Sequence, residues 1–174
     1  MIEMVGLKYI GRVLVAIVLC GVIWLVHPAK EQVNQLENQI SRQYFYANFL
    51  LRDTVEELLA WNFSQPLTDA DEDYLNELSN VLLYTTGLIF SGDVVHHEWR
   101  SQMNDIQGYL SNYKYGTSLS EEDVAEIKQS LQATRYITMD FDSYADNTYD
   151  FYDAMHDEQH EMVERVKSRL ATKY

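Results

Sequence analysis

Residues that interrupt helices are rare in most of this chain. Between Lys30 and Tyr174 there is one proline, Pro66, and four glycines, of which Gly116 is the last. Sandwiches and barrels need frequent turns, so this scarcity favours long helices over a β fold. We therefore predict an all-α chain, in which an N-terminal transmembrane anchor helix precedes an antiparallel bundle of four to five helices.

An uncharged apolar run occupies residues 13–26. Its 14 residues are fewer than the ~20 that usually cross a bilayer, but Lys8 and Arg12 can snorkel toward the headgroups and lengthen the span. We expect an uncleaved anchor over residues 13–29. The alternatives are a cleaved signal peptide, a lipoprotein signal that uses Cys20, and a buried helix of a soluble domain. The expected bilayer-facing residues are Val13, Leu14, Val15, Ile17, Val18, Leu19, Ile23, Trp24 and Leu25.

The basic residues before this run orient the chain. Lys8 and Arg12 precede the run and an acidic segment follows it, so the positive-inside rule places the N-terminus in the cytoplasm. We expect a single-pass cell-membrane protein with a cytoplasmic stub at 1–12, a signal anchor at 13–29, a polar stalk helix at 30–43 and an extracytoplasmic bundle at 44–174. In the stalk, Val33, Leu36 and Ile40 have the spacing of a short coiled-coil seam.

Several boundaries of the bundle helices follow from capping signals. The first helix is expected from near Pro28 to about Asn62, since proline suits the first helical position. Thr68 with Asp71 resembles a capping box that begins the second helix. The third helix is expected to begin at Asp93 and to end before Gly116.

The fourth helix has two candidate start signals, Ser118 with Glu121 and Ser120 with Asp123. A break is expected between Thr138 and Asp142, where β-branched residues and aspartates occur together. One long last helix is then expected to continue to about Thr172. The expected apolar positions of the second to fourth helices are Leu75, Leu78, Leu82, Thr85, Ile89, Val95, Trp99, Met103, Ile106, Leu110, Tyr113, Val124, Ile127, Leu131 and Ile137.

Acidic residues recur at helical spacing in the predicted last helix. The positions are Asp142, Asp146, Asp150, Asp153, Asp157, Glu161 and Glu164, and no lysine or arginine lies between Arg135 and Arg165. A single helix would put all of these carboxylates on one stripe. The stripe is a solvated face, a landing surface for a basic partner or a cation site. We predict a protein-binding surface formed by Asp146, Asp150, Asp153, Asp157, Tyr149 and Tyr152, because tyrosine suits sites that are part apolar and part wet.

Two histidines of the same predicted helix, His156 and His160, are four residues apart. With Asp153 and Glu164 they would form one ridge, and transition metals such as zinc accept imidazole and carboxylate ligands. His96, His97 and Glu98 could complete such a site only if the fold brings them close. A divalent metal is therefore a candidate cofactor, against ordinary surface histidines and a pH-sensing cluster.

Charge and missing motifs limit the function classes. The chain has 13 basic and 27 acidic residues and a net charge of −14, so no nucleic-acid partner is expected. Neither a nucleophile elbow nor a phosphate-binding glycine loop occurs, so an enzyme is not favoured. We expect an extracytoplasmic interaction or accessory module that contacts another protein, in a membrane complex, and the bilayer through its N-terminal helix. The alternative is an extracytoplasmic bundle that binds a metal or a small ligand.

Overall fold

The structure is a computed structural model that describes the backbone of residues 2–92, 94–116, 118–144 and 150–174. Side chains are described for residues 29–92 and for the later ranges. The helices are α1 (Ile2–Ala60), α2 (Asp69–Ile89), α3 (His97–Lys114), α4 (Glu121–Tyr144), α5 (Phe151–His156) and α6 (Glu161–Ala171). Since the described backbone contains no strand, the all-α prediction is confirmed at the level of class.

The chain divides into two compact units, Met1–Gln39 and Ile40–Tyr174. Residues 13–28 of the expected anchor lie outside the described side chains. In the part of the chain whose side chains are described, no helix has both the length and the apolar character needed to cross a bilayer. The second unit is a helical bundle with a core of its own.

Within the second unit, α1 buries one face from Tyr44 onward. Tyr44, Ala47, Leu51, Val55 and Leu58 are almost completely buried, and their spacing of three and four residues places them on one side of the helix. The expected start of this helix near Pro28 is wrong, because α1 already includes that position.

Capping signals identify the start of α2 and the end of α3. The Thr68 side chain accepts from the Asp71 backbone N–H, and the Asp71 carboxylate accepts from the Thr68 backbone N–H, so the predicted capping box is confirmed. Gly116 has a φ of 82° after the end of α3, which is the left-handed conformation that glycine adopts without a Cβ clash. The expected N-cap of α3 is wrong, because α3 begins at His97; Asp93 itself lies outside the described residues.

The second of the two start signals begins α4, where Ser120 and Asp123 exchange side-chain-to-backbone hydrogen bonds of 3.1 and 2.9 Å. The expected break at 138–142 is wrong, because α4 continues to Tyr144. Ile137 and Phe141 are buried there, and the carboxylate of Asp140 is paired with Arg169. Tertiary packing therefore outweighs the weak helix propensity of this segment.

The expected long last helix is also wrong, because it is interrupted between α5 and α6. Asp157 leaves the helical conformation with a ψ of 113°. Its carboxylate accepts from the Gln159 backbone N–H at 2.9 Å, and its carbonyl accepts from the His160 N–H at 3.1 Å. An aspartate that hydrogen-bonds its own backbone two residues on stabilises a turn in competition with a helix. The described part of the bundle therefore contains six helices, whereas four to five were expected.

A chain of aromatic side chains joins the elements of the core. The Trp99 ring contacts Phe90 edge-on at 5.0 Å between centroids and stacks on Phe141 at 5.8 Å. Phe141 stacks on Phe151 at 5.6 Å, and Phe151 meets Phe45 edge-on at 5.8 Å. These residues come from α1, α3, α4, α5 and the residue that follows α2. Phe151 is the first residue of α5, so its contacts with Phe141 and Phe45 anchor this short helix in the core.

Candidate functional site

The acidic residues predicted to share one helical stripe do not share one helix. Asp142 belongs to α4, Asp150 and Asp157 flank α5, and Asp153 lies within it, while Glu161 belongs to α6. The single stripe was therefore wrong, and the turn at Asp157 is the physical reason. Asp146 and Tyr149 lie outside the described residues. Partner binding by these residues stays a prediction.

Two groups of these acids differ in their pairing. Glu161 forms an ion pair with Arg165 at 3.0 Å, and Glu164 forms one with Lys167 at 3.0 Å. Asp150, Asp153 and Asp157 are exposed, and none of the ion pairs found among the described residues involves them. Among the described acids of this region, those outside the ion pairs are therefore the ones around α5.

Tyr152 joins α5 to α1. Its backbone N–H donates to the Oγ of Ser41 at 2.7 Å, and Ser41 is fully buried. The half-buried Tyr152 ring stacks on the His156 ring with 4.4 Å between centroids. Part of the predicted binding surface thus also holds α5 in place.

The candidate metal ligands make other contacts. His156 Nε2 lies 2.9 Å from the hydroxyl of Tyr44. His160 precedes α6, and its Nδ1 accepts from the Met162 backbone N–H at 3.2 Å. The ridge expected from their four-residue spacing is wrong, because the two histidines lie on opposite sides of the turn. Among the described residues, no group of three or more potential ligands could hold a metal ion.

His96 is the buried member of this region. Its side chain is 3% exposed, and its Nε2–H donates to the carbonyl of Ala154 in α5 at 2.8 Å. Burial lowers the pKa of His96, and the nearby His160, His97 and His156 lower it further. The fold therefore brings His96 and His97 near His156 and His160.

Two tyrosines near these histidines hold their protons more tightly than usual. Burial is the main cause that raises the pKa of Tyr44, whose hydroxyl meets His156. Desolvation and a hydrogen bond with Glu161 raise the pKa of Tyr144, whose ring packs edge-on against His160 at 5.1 Å. Both phenols are therefore neutral hydrogen-bonding groups at neutral pH.

Several contacts of the bundle lay beyond sequence reasoning. The Asn48 amide donates to the carbonyl of Thr138 at 3.0 Å and to the carboxylate of Asp142 at 2.8 Å, and Arg52 also pairs with Asp142. Lys128 Nζ donates to the carbonyl of Trp61 at 2.8 Å and to other carbonyls at the end of α1. These partners are far apart in sequence, so no local pattern could have indicated them.

The two largest surface grooves of the described residues lie away from the predicted partner-binding residues. A groove of about 350 Å³ at one end of the bundle is lined by Phe63, Pro66, Glu72, Tyr113 and Lys114, among others. A second of similar volume lies between α3 and α4. Of the residues that the sequence singled out for partner or metal binding, only Glu98 lines either groove, and it lines the second.

Comparisons with protein-family models, with curated proteins and with solved structures found no match to this chain. A function for this chain is therefore inferred from its residues and their contacts alone.

Proposed function

We propose that this chain is a single-pass membrane protein whose helical bundle acts outside the cytoplasm as an interaction or accessory module. The membrane part of the proposal is supported by the sequence, in which the uncharged run at 13–26 follows Lys8 and Arg12. The module part is supported by the second unit, Ile40–Tyr174, which has its own buried core.

The observation that carries the interaction proposal is the charge around α5. Asp150, Asp153 and Asp157 are exposed and outside the described ion pairs, whereas Glu161 and Glu164 of the neighbouring helix are paired. Carboxylates that lie outside the described ion pairs favour association with a basic surface, because complementary potentials steer the encounter and disfavour wrong partners. The proposed partner is therefore another protein that presents basic side chains.

The metal-binding alternative is not proposed. The helical spacing that suggested it is interrupted at Asp157, and the imidazoles of His156 and His160 each have a hydrogen-bonding partner.

Topology is tested with a reporter that is active only outside the cytoplasm and is fused after Tyr174. We expect an active reporter and a chain that stays in the membrane fraction after alkaline extraction. Replacing Ile17 and Val18 by lysine should release the chain, because charged residues at the centre of a span are costly. A silent reporter on a well-expressed fusion would contradict the orientation, and release of the wild-type chain by alkali would contradict the anchor.

Partner binding is tested by purifying the tagged full-length protein from membranes and comparing the recovered proteins between variants. We expect Asp150→Lys with Asp153→Lys to lose a partner that the wild type retains. The matched control is Asp73→Lys with Glu77→Lys, which reverses two exposed charges on α2. The same recovered set from both double variants would contradict a role for the α5 acids.

A further inference from the structure

The outer edge shared by α1 and α2 is defined by contacts at both of its ends. The hydroxyl of Tyr74 in α2 donates to the carboxylate of Glu57 in α1 at 3.2 Å, and the Tyr74 ring stacks on Trp61 with 5.9 Å between centroids. At the opposite end, Ile89 of α2 lines the same small cavity as Tyr44 of α1. The two helices therefore run antiparallel, with the later half of α2 beside residues 44–61 of α1.

Helical spacing identifies the side chains that lie along this edge. Residues 81, 84 and 88 lie seven, ten and fourteen positions after Tyr74, so they share its face of α2. Residues 50, 46 and 43 lie seven, eleven and fourteen positions before Glu57, so they share its face of α1. Because Tyr74 meets Glu57, the two faces adjoin. The α1–α2 edge consists of Gln43, Tyr46, Leu50, Val81, Tyr84 and Leu88.

Most of these side chains are apolar and open to solvent. Tyr46, Leu50 and Tyr84 are 66%, 43% and 62% exposed, and Val81 and Leu88 are half-buried between them and the core. Scattered exposed apolar residues are ordinary on a protein surface, but clustered ones mark interaction sites. The α1–α2 edge therefore has the character of a surface that another molecule covers.

The same edge carries very little charge. Residues 40–51 of α1 and residues 78–92, which include the later half of α2, contain one charged side chain, that of Arg42. The remainder of the second unit, residues 52–77 and 93–174, contains 24 acidic and nine basic residues, a net charge of −15. Two copies that met through this remainder would bring carboxylates together, and opposed like charges disfavour an interface.

We propose that the α1–α2 edge is a self-association surface, through which two copies of this chain pair about a two-fold axis near Leu50 and Tyr84. A two-fold interface uses the same patch on both partners, so the patch has to complement itself. An apolar and nearly uncharged edge meets this condition, whereas the acidic remainder does not. A strongly basic partner is drawn to the acidic remainder instead, so it is not the occupant of this edge.

The size of the edge predicts that the pair is weak in solution. Residues 43–57 of α1 span roughly 20 Å and two adjacent helices are about 20 Å wide, so each copy contributes on the order of 400 Å². A stable soluble complex buries ~800 Å² per partner. Pairing therefore depends on confinement. The inference rests on the proposed membrane anchor, which holds copies in one plane and raises their effective concentration.

Cysteine cross-linking of the full-length chain in cell membranes tests the pair. Cys20 is the only cysteine, so Cys20→Ser provides a background for single introduced cysteines. Leu50→Cys and Tyr84→Cys are treated with a mild oxidant and analysed on a non-reducing gel. A disulfide forms only where two Cα atoms come within about 7 Å, which happens close to a two-fold axis. We expect a disulfide-linked dimer from at least one of these two variants.

Two exposed apolar residues on the same helices provide matched controls. Phe49 and Leu83 are 46% and 59% exposed. Phe49 lies under the guanidinium of Arg52, which pairs with α4, and Leu83 lies three residues before Thr86, which accepts a hydrogen bond from α3. Both controls therefore face away from the α1–α2 edge. The larger dimer yield of the two edge cysteines should exceed that of Phe49→Cys and of Leu83→Cys at least about fivefold.

A pair of charge variants tests the same edge without cysteines. Leu50→Glu with Tyr84→Glu places like charges on both sides of the proposed axis, so co-purification of two differently tagged copies from one membrane should fall at least ~tenfold. The control, Phe49→Glu with Leu83→Glu, adds the same charge to the same helices and should co-purify as wild type does. All four side chains are exposed, so both variants should keep the wild-type circular dichroism.

Three results would overturn the proposal. They are equal dimer yields from edge and control cysteines, a cross-linked product that contains another protein in place of a second copy, and undiminished co-purification of the edge charge variant. Alkaline extraction tests the membrane anchor separately. If the chain resists alkali and the edge cysteines do not cross-link, self-association alone fails; if alkali releases the chain, the anchor fails whatever the cross-links show.

Discussion

The pair between Arg169 and Asp140 fastens α6 to α4 and allows a quantitative test. Arg169 Nε and Nη2 donate to the two carboxylate oxygens of Asp140 at 2.7 and 2.9 Å. The Asp140 side chain is 12% exposed and the Arg169 side chain 36% exposed. The guanidinium carbon also lies 5.0 Å from the centre of the Tyr136 ring. Replacing Arg169 by methionine keeps most of its apolar stem but leaves the Asp140 carboxylate largely buried without its partner.

The expected loss is about 3 kcal/mol of unfolding free energy. Hydrogen bonds to charged groups contribute ~1.5–3 kcal/mol each, and breaking a buried pair costs ~3–5 kcal/mol. Because Arg169 is partly in solvent, screening reduces its share toward the lower end of these ranges. The cation–π contact adds roughly 0.5–1 kcal/mol. In a double-mutant cycle with Asp140→Asn, we expect a coupling free energy of about 2 kcal/mol.

Urea unfolding followed by far-ultraviolet circular dichroism, with the full chain in detergent micelles, measures these values. The matched control is Lys167→Met, which removes an exposed pair with Glu164 on the same helix and should cost ~0.5 kcal/mol or less. A loss below ~0.5 kcal/mol for Arg169→Met, or a coupling energy indistinguishable from zero, would refute the assigned role of the Arg169–Asp140 pair.

Other predictions follow from single contacts. Lys128→Met should cost about 1–2 kcal/mol, because the ammonium caps the last carbonyls of α1, and an unchanged urea midpoint would contradict this role. Gly116→Ala should destabilise the protein by about 1 kcal/mol, because Gly116 has a positive φ. Gly108→Ala should stabilise it by up to ~1 kcal/mol, because Gly108 lies inside α3 with free space around it. A thermal unfolding temperature that is higher for Gly116→Ala than for Gly108→Ala would contradict both expectations. Because burial lowers the pKa of His96, the unfolded chain binds more protons, so stability should fall as pH decreases below ~6.5. Between pH 7.5 and pH 5.5 the urea midpoint should fall less in His96→Gln than in the wild type. An equal fall in both proteins would contradict the role of His96 in this pH dependence.

Local signals in the sequence were sufficient for the helical class and for the middle of the bundle. The capping box at Thr68, the second start signal at Ser120 and the glycine after α3 all acted through neighbours within four residues. The apolar positions of α2 and most of those of α3 and α4 are buried as expected, because a period of 3.6 residues identifies a face without reference to its partner.

The candidate site was less predictable. Its acidic residues and histidines were identified, but their assignment to one stripe and one ridge depended on a continuous last helix. The Asx-type turn at Asp157 replaces that helix locally, because an aspartate side chain that hydrogen-bonds the backbone two residues on competes with helix formation. His96 was named only as a conditional neighbour, because nothing local in the sequence shows that it donates to Ala154.

The sequence by itself determined that the bundle is helical, where α2 begins and that the charge is strongly negative, because these properties depend on residue type and short-range spacing. For α4 it offered two start signals, and the structure selected the second. Only the tertiary structure decided that α4 continues to Tyr144, that α5 and α6 are separate and that their histidines serve as attachments. Those outcomes depend on contacts between distant residues, such as Arg169 with Asp140 and His96 with Ala154. The energies of such contacts exceed the local preferences that a sequence pattern records.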